Sequence, residues 1–219
     1  MNMVLAGLAI LLIGDSHIAA VGYFNNPLHE GLIGQGASVD TFGVCNSLPD
    51  DWITPKQISC GRGERHNQTP AELTSGNGLR GWALASLISR YKPNLVVIEM
   101  GDTLAGYGAA PQLPRDFISK QVTELLQPIK SQKLDCIWIG PPWGTEGGAF
   151  KKTFTRVKEL SDYLSQIVAP CHYVDSLLSS RPGQWQTIDG VHLTPDSTRL
   201  WDAYLIQSIS KISPTLQRH

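Results

Sequence analysis

The chain has little of several things that would mark out a binding partner. Charged residues make up 17% of its 219 positions and their signs nearly cancel to a formal net charge of -1. No run of like charge occurs, which leaves no electrostatic footprint for nucleic acid or an anionic membrane surface. No apolar run beyond the N-terminal stretch approaches the length of a bilayer span, so no stable membrane insertion is expected. The 6 histidines and 4 cysteines do not combine with carboxylates at metal-ligand spacing, so no metal is expected. Gly147-Gly148 lacks the strand-loop-helix setting and the lysine of a phosphate cradle, which argues against a nucleotide, and no cofactor is expected. Internal repeats and low-complexity tracts are also missing.

What is present is a hydrophobic content of 42%, enough to bury a full core, and the length suits one domain over residues 1–219. The apolar stretch Met3 to Ile13 lacks a basic leading segment and runs straight into Gly14-Asp15-Ser16-His17, so it reads as a first strand rather than a signal peptide. Cys45 and Cys60 flank a segment with little core of its own, where a disulfide would be useful. Cys136 and Cys171 each open a predicted strand, where they read first as buried small hydrophobes, with a bridge between them as the alternative. Spacing alone does not fix connectivity. An oxidised Cys45/Cys60 pair would place the protein in the periplasm or outside the cell.

Five short apolar runs recur: Ala9 to Ile13, Ser38 to Val44, Asn94 to Met100, Asp135 to Ile139 and His172 to Val174. Their bounded, non-alternating character suits parallel strands buried on both faces. Between them, Pro27 to Ile33, Leu79 to Tyr91, Arg115 to Ile129, Thr153 to Val168 and Pro195 to Ile212 carry apolar residues at helical spacing, with Pro128 expected to kink or end the third. Strand and helix alternate, which predicts an α/β fold: three layers, α/β/α, around a doubly wound five-stranded parallel sheet. The segment from Asn46 to Gly78 has no clear period and exceeds the usual loop length. It reads as a lid or substrate-binding insertion.

The chemistry concentrates at two places. Gly14-Asp15-Ser16-His17 puts a serine hydroxyl at the carboxyl edge of the first strand, where open α/β sheets build their sites. Asp189-Gly190-Val191-His192 supplies a carboxylate and an imidazole three positions apart, ahead of a helix that Thr194 would cap and Pro195 would start. A serine hydroxyl is a poor nucleophile until an imidazole takes its proton, and the imidazole needs a carboxylate to fix its tautomer. Each motif alone has a bland explanation, a surface serine or a capping aspartate. Their conjunction on one rim, after the first and last strands, points to a Ser/His/Asp set.

On these residues the chain resembles the SGNH, or GDSL-like, hydrolase superfamily, from Ile13 to the final helix. The G-x-S-x-G elbow of the α/β-hydrolases is not found. The resemblance implies a flavodoxin-like hydrolase fold, with Ser16 as nucleophile, His192 as general base and acid, and Asp189 as its orienter. It also implies an oxyanion hole of three donors. The first is the Ser16 N–H. The second is a backbone N–H after the second parallel strand, Asn46 by its distance past the strand or Gly43. The third position, an asparagine in the family pattern, is held here by Thr103 in Gly101-Asp102-Thr103. A threonine hydroxyl is shorter than an amide, and one missing donor typically costs about two to three orders of magnitude in rate.

Trp143 and Trp185 are either apolar or sugar-stacking walls of a substrate site or ordinary packing. His17 is expected to cap or pack, Asp15 to support the serine turn, Asp102 to line the site or serve as a polar turn residue, and His66 to be a solvated loop residue. The resemblance implies an ester hydrolase that forms an acyl-enzyme. The polar insertion and the tryptophans favour a small O-acyl group, especially acetyl, on a carbohydrate, removed to water or transferred to a sugar hydroxyl. A lipase, lysophospholipase or thioesterase on the same scaffold is the first rival, and a non-catalytic glycan-binding module with a degraded oxyanion hole the second. Either enzyme takes a small-molecule or polysaccharide ester.

Overall fold

The computed structural model describes residues 3–216. The N-terminal apolar stretch does not enter the sheet at once. Gly7, at a φ of +83°, sits in a turn, and β1 starts only at Ala9 and runs to Gly14. Four further strands lie parallel to it: β4 (Ser38–Val44), β7 (Leu95–Glu99), β8 (Asp135–Ile139) and β9 (His172–Val174). Their order is β4-β1-β7-β8-β9. The five apolar runs of the sequence are these five strands.

The sheet is nonetheless larger than the sequence indicates. Two strands from the 46–78 insertion, β5 (Arg62–His66) and β6 (Glu72–Thr74), extend it to seven in the order β6-β5-β4-β1-β7-β8-β9. β5 runs antiparallel to β4, and β6 antiparallel to β5. Arg62-Gly63-Glu64-Arg65-His66 carries no apolar signature because β5 lies towards the sheet margin, where one partner is an exposed strand and charged side chains reach water. His66 is therefore a strand residue and not a solvated loop residue: its Nδ1 lies 2.8 Å from Asp40 Oδ1, and its ring stacks on Tyr91. A separate two-stranded ribbon, β2 (Ala19–Ala20) with β3 (Tyr23–Phe24), follows the serine turn.

Alternation along the buried strands divides the core between two faces. Leu11 and Ile13 point to a cluster completed by Leu87 and Ile88 of α2 (Leu84–Tyr91), Leu125 of α3 (Arg115–Ser131) and Leu160 of α4 (Phe154–Ile167). Ile10 and Leu12 point the other way, to Leu28 of α1 (Asn26–Gly34) and Trp201 and Leu205 of α5 (Pro195–Leu216). Three layers result. α2 begins at Leu84 rather than Leu79, because residues 79–83 run over the insertion and Arg80 bridges Gln57. α3 continues through Pro128, which cannot donate to the i−4 carbonyl, and ends three residues later at Ser131.

Cys45 is joined to Cys60, and Cys136 to Cys171. The second pair corrects the reading of Cys136 and Cys171 as unlinked buried hydrophobes. It staples β8 to the turn that opens β9. Among the described residues, no helix is long and apolar enough to cross a membrane.

Candidate active site

The carboxyl ends of β1, β4 and β7 converge, and the loops that leave them form the site. After Gly14 the chain makes one tight turn: Ile18 and Ala19 donate their backbone N–H groups to Asp15 O, and the Asp15 side chain accepts the His17 N–H at 3.0 Å. Asp15 therefore supports the turn that presents Ser16, as expected.

Ser16 Oγ lies 2.7 Å from His192 Nε2, and His192 Nδ1 lies 2.6 Å from Asp189 Oδ2. The other Asp189 oxygen accepts backbone N–H groups from Val191 at 3.0 Å and His192 at 2.8 Å. The Asp189 carboxylate is thus fixed by the same short turn that carries His192. Gly190, at a φ of +99°, makes that turn possible, since a Cβ there would lie 2.7 Å from Gly147 O. Burial would raise the Asp189 carboxyl, but hydrogen bonds from His192 and from two backbone N–H groups outweigh it and hold the group below its ordinary range. An anion at Asp189 keeps the Nδ1 proton of His192 in place and leaves Nε2 free to accept from Ser16.

The predicted oxyanion residues separate. Asn46 lines the same cavity as Ser16, Thr103 and His192. It has a φ of 59°, a left-handed conformation that asparagine enters more readily than most residues. Gly43 lies inside β4, paired with Gly14 and Gly63, and a Cβ there would sit 2.5 Å from Ala19 Cβ. It serves close strand packing and does not reach the cavity. Thr103 reaches it from a short 3-10 turn, Asp102–Leu104, with its hydroxyl directed at Asp15 Oδ2 at 3.5 Å.

Two cavities flank the Ser16–His192 pair. One, of about 390 Å³, is bounded by Asn46, Thr103, Tyr107, Phe150 and Val191. The other, of about 200 Å³, is bounded by Val21, Tyr23, Ile188 and Leu193. A larger open cleft of about 800 Å³ between residues 111–117 and 153–159 touches neither Ser16 nor His192.

Neither tryptophan borders these two cavities. Trp185 is buried in the α1/α5 core, and Trp143 donates its indole N–H to Leu177 O and packs on Phe154. Phe150, which sequence reasoning passed over, lies edge-on to the His192 ring at 5.8 Å. It sits in a glycine-flanked loop without periodicity, so nothing local announced it.

Beneath the serine lies a set of buried ionisable groups. His17 Nε2 lies 3.1 Å from Asp102 Oδ2, and Lys152 Nζ lies 2.7 Å from Asp102 Oδ1. Burial would raise the Asp102 carboxyl, but the Lys152 charge and the His17 contact hold it well below the usual carboxylate range. Burial would lower His17, but Asp102 and Asp15 hold its imidazole up. Glu99 has both oxygens buried beside Asp15, and burial pushes its carboxyl well above its ordinary range, reinforced by Asp15 and Asp102. Asp15, His17 and Glu99 bring one donor atom each within 4.8 Å of one another. Asp15 and His17 are already engaged by protein partners, so the trio falls short of the four free donors typical of a structural site. The sequence missed this grouping because its members come from three distant segments: the turn after β1, the end of β7 with the turn that follows it, and the loop before α4.

No protein-family model matches the chain. A curated relative, Protein BcsX of Komagataeibacter xylinus, is 38% identical over 209 residues, which span 95% of this chain and 79% of BcsX. Among solved structures, a catalytic mutant of Axe2, an acetylxylan esterase from Geobacillus stearothermophilus, superposes with a TM-score of 0.57 at 14% identity, covering 93% of this chain and 94% of that one. A GDSL-like lipase from Bacteroides thetaiotaomicron gives 0.57 at 14% identity, over 93% and 88%. These likenesses, below a quarter identity, concern the fold alone. The chain belongs to the same family as BcsX, and it shares its fold with solved structures of the SGNH, or GDSL-like, hydrolase type.

Proposed function

We propose that the protein is a serine esterase that removes a small O-acyl group, acetyl foremost, from a carbohydrate in the periplasm or outside the cell. The observation that carries this reading is the chain of contacts from Ser16 to His192 to Asp189, at 2.7 and 2.6 Å. His192 takes the Ser16 proton as Oγ attacks the ester carbonyl carbon. The resulting oxyanion is held by the backbone N–H groups of Ser16 and Asn46, with Thr103 beside them. The imidazolium then gives its proton to the departing sugar oxygen, leaving an acyl-enzyme. Water, or a second sugar hydroxyl in a transfer reaction, attacks with His192 again as base.

The substrate class draws support from the modest size of both cavities and from the fold shared with an acetylxylan esterase. Two disulfides and the lack of a membrane-crossing helix among the described residues support the compartment. One observation favours a longer acyl chain: Val21, Ile188 and Leu193 give the smaller cavity apolar walls. Hydrolysis of p-nitrophenyl esters of increasing chain length, with Ser16→Ala in parallel, decides between them. Turnover greatest on acetate and absent in Ser16→Ala is expected. Turnover that climbs with chain length selects the lipase reading, and full activity in Ser16→Ala overturns both.

A further inference from the structure

Lys152 is fully buried, yet acyl transfer through Ser16, His192 and Asp189 has no step for a buried ammonium. Its Nζ donates to Pro142 O at 2.8 Å and pairs with Asp102 Oδ1 at 2.7 Å. Tyr107 also donates to that oxygen, at 2.6 Å. The other Asp102 oxygen meets His17, the residue after Ser16, and the His17 ring centroid lies 5.4 Å from that of His192. Taking these charges out of water is expensive, and an apolar replacement of similar volume is often at least as stable, so stability is a weak reason for such a chain.

The backbone around Lys152 is tied to the active site as well. Thr145 donates to Gly190 O at 3.1 Å and Ala149 donates to Asp189 O at 3.0 Å. The 145–152 loop thus grips the turn that carries Asp189 and His192, while its last side chain grips the turn that carries Thr103 and, through His17, the turn that carries Ser16. Two of these turns leave β1 and β7, and the third precedes α5. In the structure Lys152 and its loop join all of them.

We propose that Lys152, acting through Asp102 and His17, is a positioning residue that holds the nucleophile, oxyanion and acid–base turns in register with one another. Its kinetic consequence rests on the esterase reading above; its structural consequence does not. Lys152 and His17 hold the Asp102 carboxyl well below its ordinary range against the effect of burial, whereas burial raises the carboxyls of Asp15 beside His17, Glu99 at the end of β7 and Asp202 on α5. His192 is the remaining titratable group that faces His17.

The test uses Lys152→Met, Asp102→Asn and the double variant, read by steady-state kinetics on p-nitrophenyl acetate, by thermal melting and by NMR titration of the His17 ring. Loss of Lys152 leaves an excess negative charge beside His17 and should raise its titration midpoint, whereas Asp102→Asn should lower it. Both single variants should lose roughly tenfold to a hundredfold in kcat, the scale of a misplacement of about an ångström, with KM little changed. The double variant, with no uncompensated charge, should regain melting temperature but not kcat. A His17 midpoint that ignores Lys152→Met, or kcat that returns together with melting temperature in the double variant, overturns the proposal. Should the single variants not fold, Tyr107→Phe removes one contact to Asp102 without changing charge, and an unchanged kcat there counts equally against it. Absence of turnover in the wild type would sink the esterase reading instead, and the His17 titration and melting would still decide whether Lys152 couples to the serine turn.

Discussion

Ser16 Oγ and His192 Nε2 meet at 2.7 Å although 176 positions separate them. The parallel sheet brings the carboxyl end of β1 beside the loop that precedes α5, so the pair is a product of topology and not of local sequence. If Asp189 holds the His192 tautomer, Asp189→Asn should leave the fold intact and reduce kcat by about 10⁴-fold. Ser16→Ala should abolish the acyl-enzyme. Mass spectrometry of protein quenched during turnover of a slow ester checks this, since an acyl adduct on the Ala variant would place the nucleophile elsewhere.

Thr103 makes the oxyanion hole testable by gain as well as loss. Its hydroxyl is directed at Asp15 Oδ2 rather than clearly into the cavity. Thr103→Val should therefore change kcat only slightly. Thr103→Asn, which extends a donor further from the same turn, should raise kcat, by up to about two orders of magnitude if it adds a full oxyanion donor. Steady-state rates on an acetyl ester separate these outcomes, and a sharp fall in the Val variant would show that the hydroxyl itself serves the oxyanion.

The parts that were legible in the sequence share one property: their signal is local. A strand buried on both faces writes a short apolar run, and Leu95-Val96-Val97-Ile98 is such a run. A carboxylate and an imidazole three positions apart, Asp189 and His192, write themselves into four residues. β5 was hidden because Arg62, Glu64 and Arg65 near a sheet margin look like a loop. The Cys136–Cys171 bond was hidden because connectivity depends on which strands are neighbours, and β8 lies next to β9. The Lys152–Asp102–His17 chain was the least legible, since His17 and Asp102 are 85 positions apart and each is unremarkable where it stands. Trp143 and Trp185 misled for the opposite reason. A large aromatic near a site motif looks like a wall, and here both are spent on packing.

The two disulfides should have different functional consequences. Cys45–Cys60 spans a sequence separation of 15 and Cys136–Cys171 one of 35, so loop-closure entropy assigns them about 3 and about 4 kcal/mol. Only the first adjoins Asn46 and borders the cavity with Ser16. Replacing Cys45 and Cys60 by serine should lower both stability and kcat, whereas replacing Cys136 and Cys171 should lower stability with kcat preserved well below the melting temperature. Denaturant melts and kinetics on the two double variants check this. Intact mass with and without reductant should show no free thiol in the wild type.

Asp202 supplies a prediction in pH. Burial pushes its carboxyl up from 3.8 to about 7, only partly offset by the hydrogen bond from Asn25. Its second oxygen is buried without a partner. A carboxyl whose folded value is raised binds its proton more tightly in the fold than in the open chain. Its contribution is therefore fully present below about pH 4 and is lost as pH rises towards about 7 and beyond. The difference corresponds to at most about 4 kcal/mol. Asp202→Asn keeps an acceptor for Asn25 and cannot ionise. It should raise the melting temperature at pH 8 by about 3 °C or more and have little effect at pH 4.5. Melting curves of wild type and variant at the two pH values check the sign, and an equal shift at both would mean that ionisation of Asp202 is not what the fold resists.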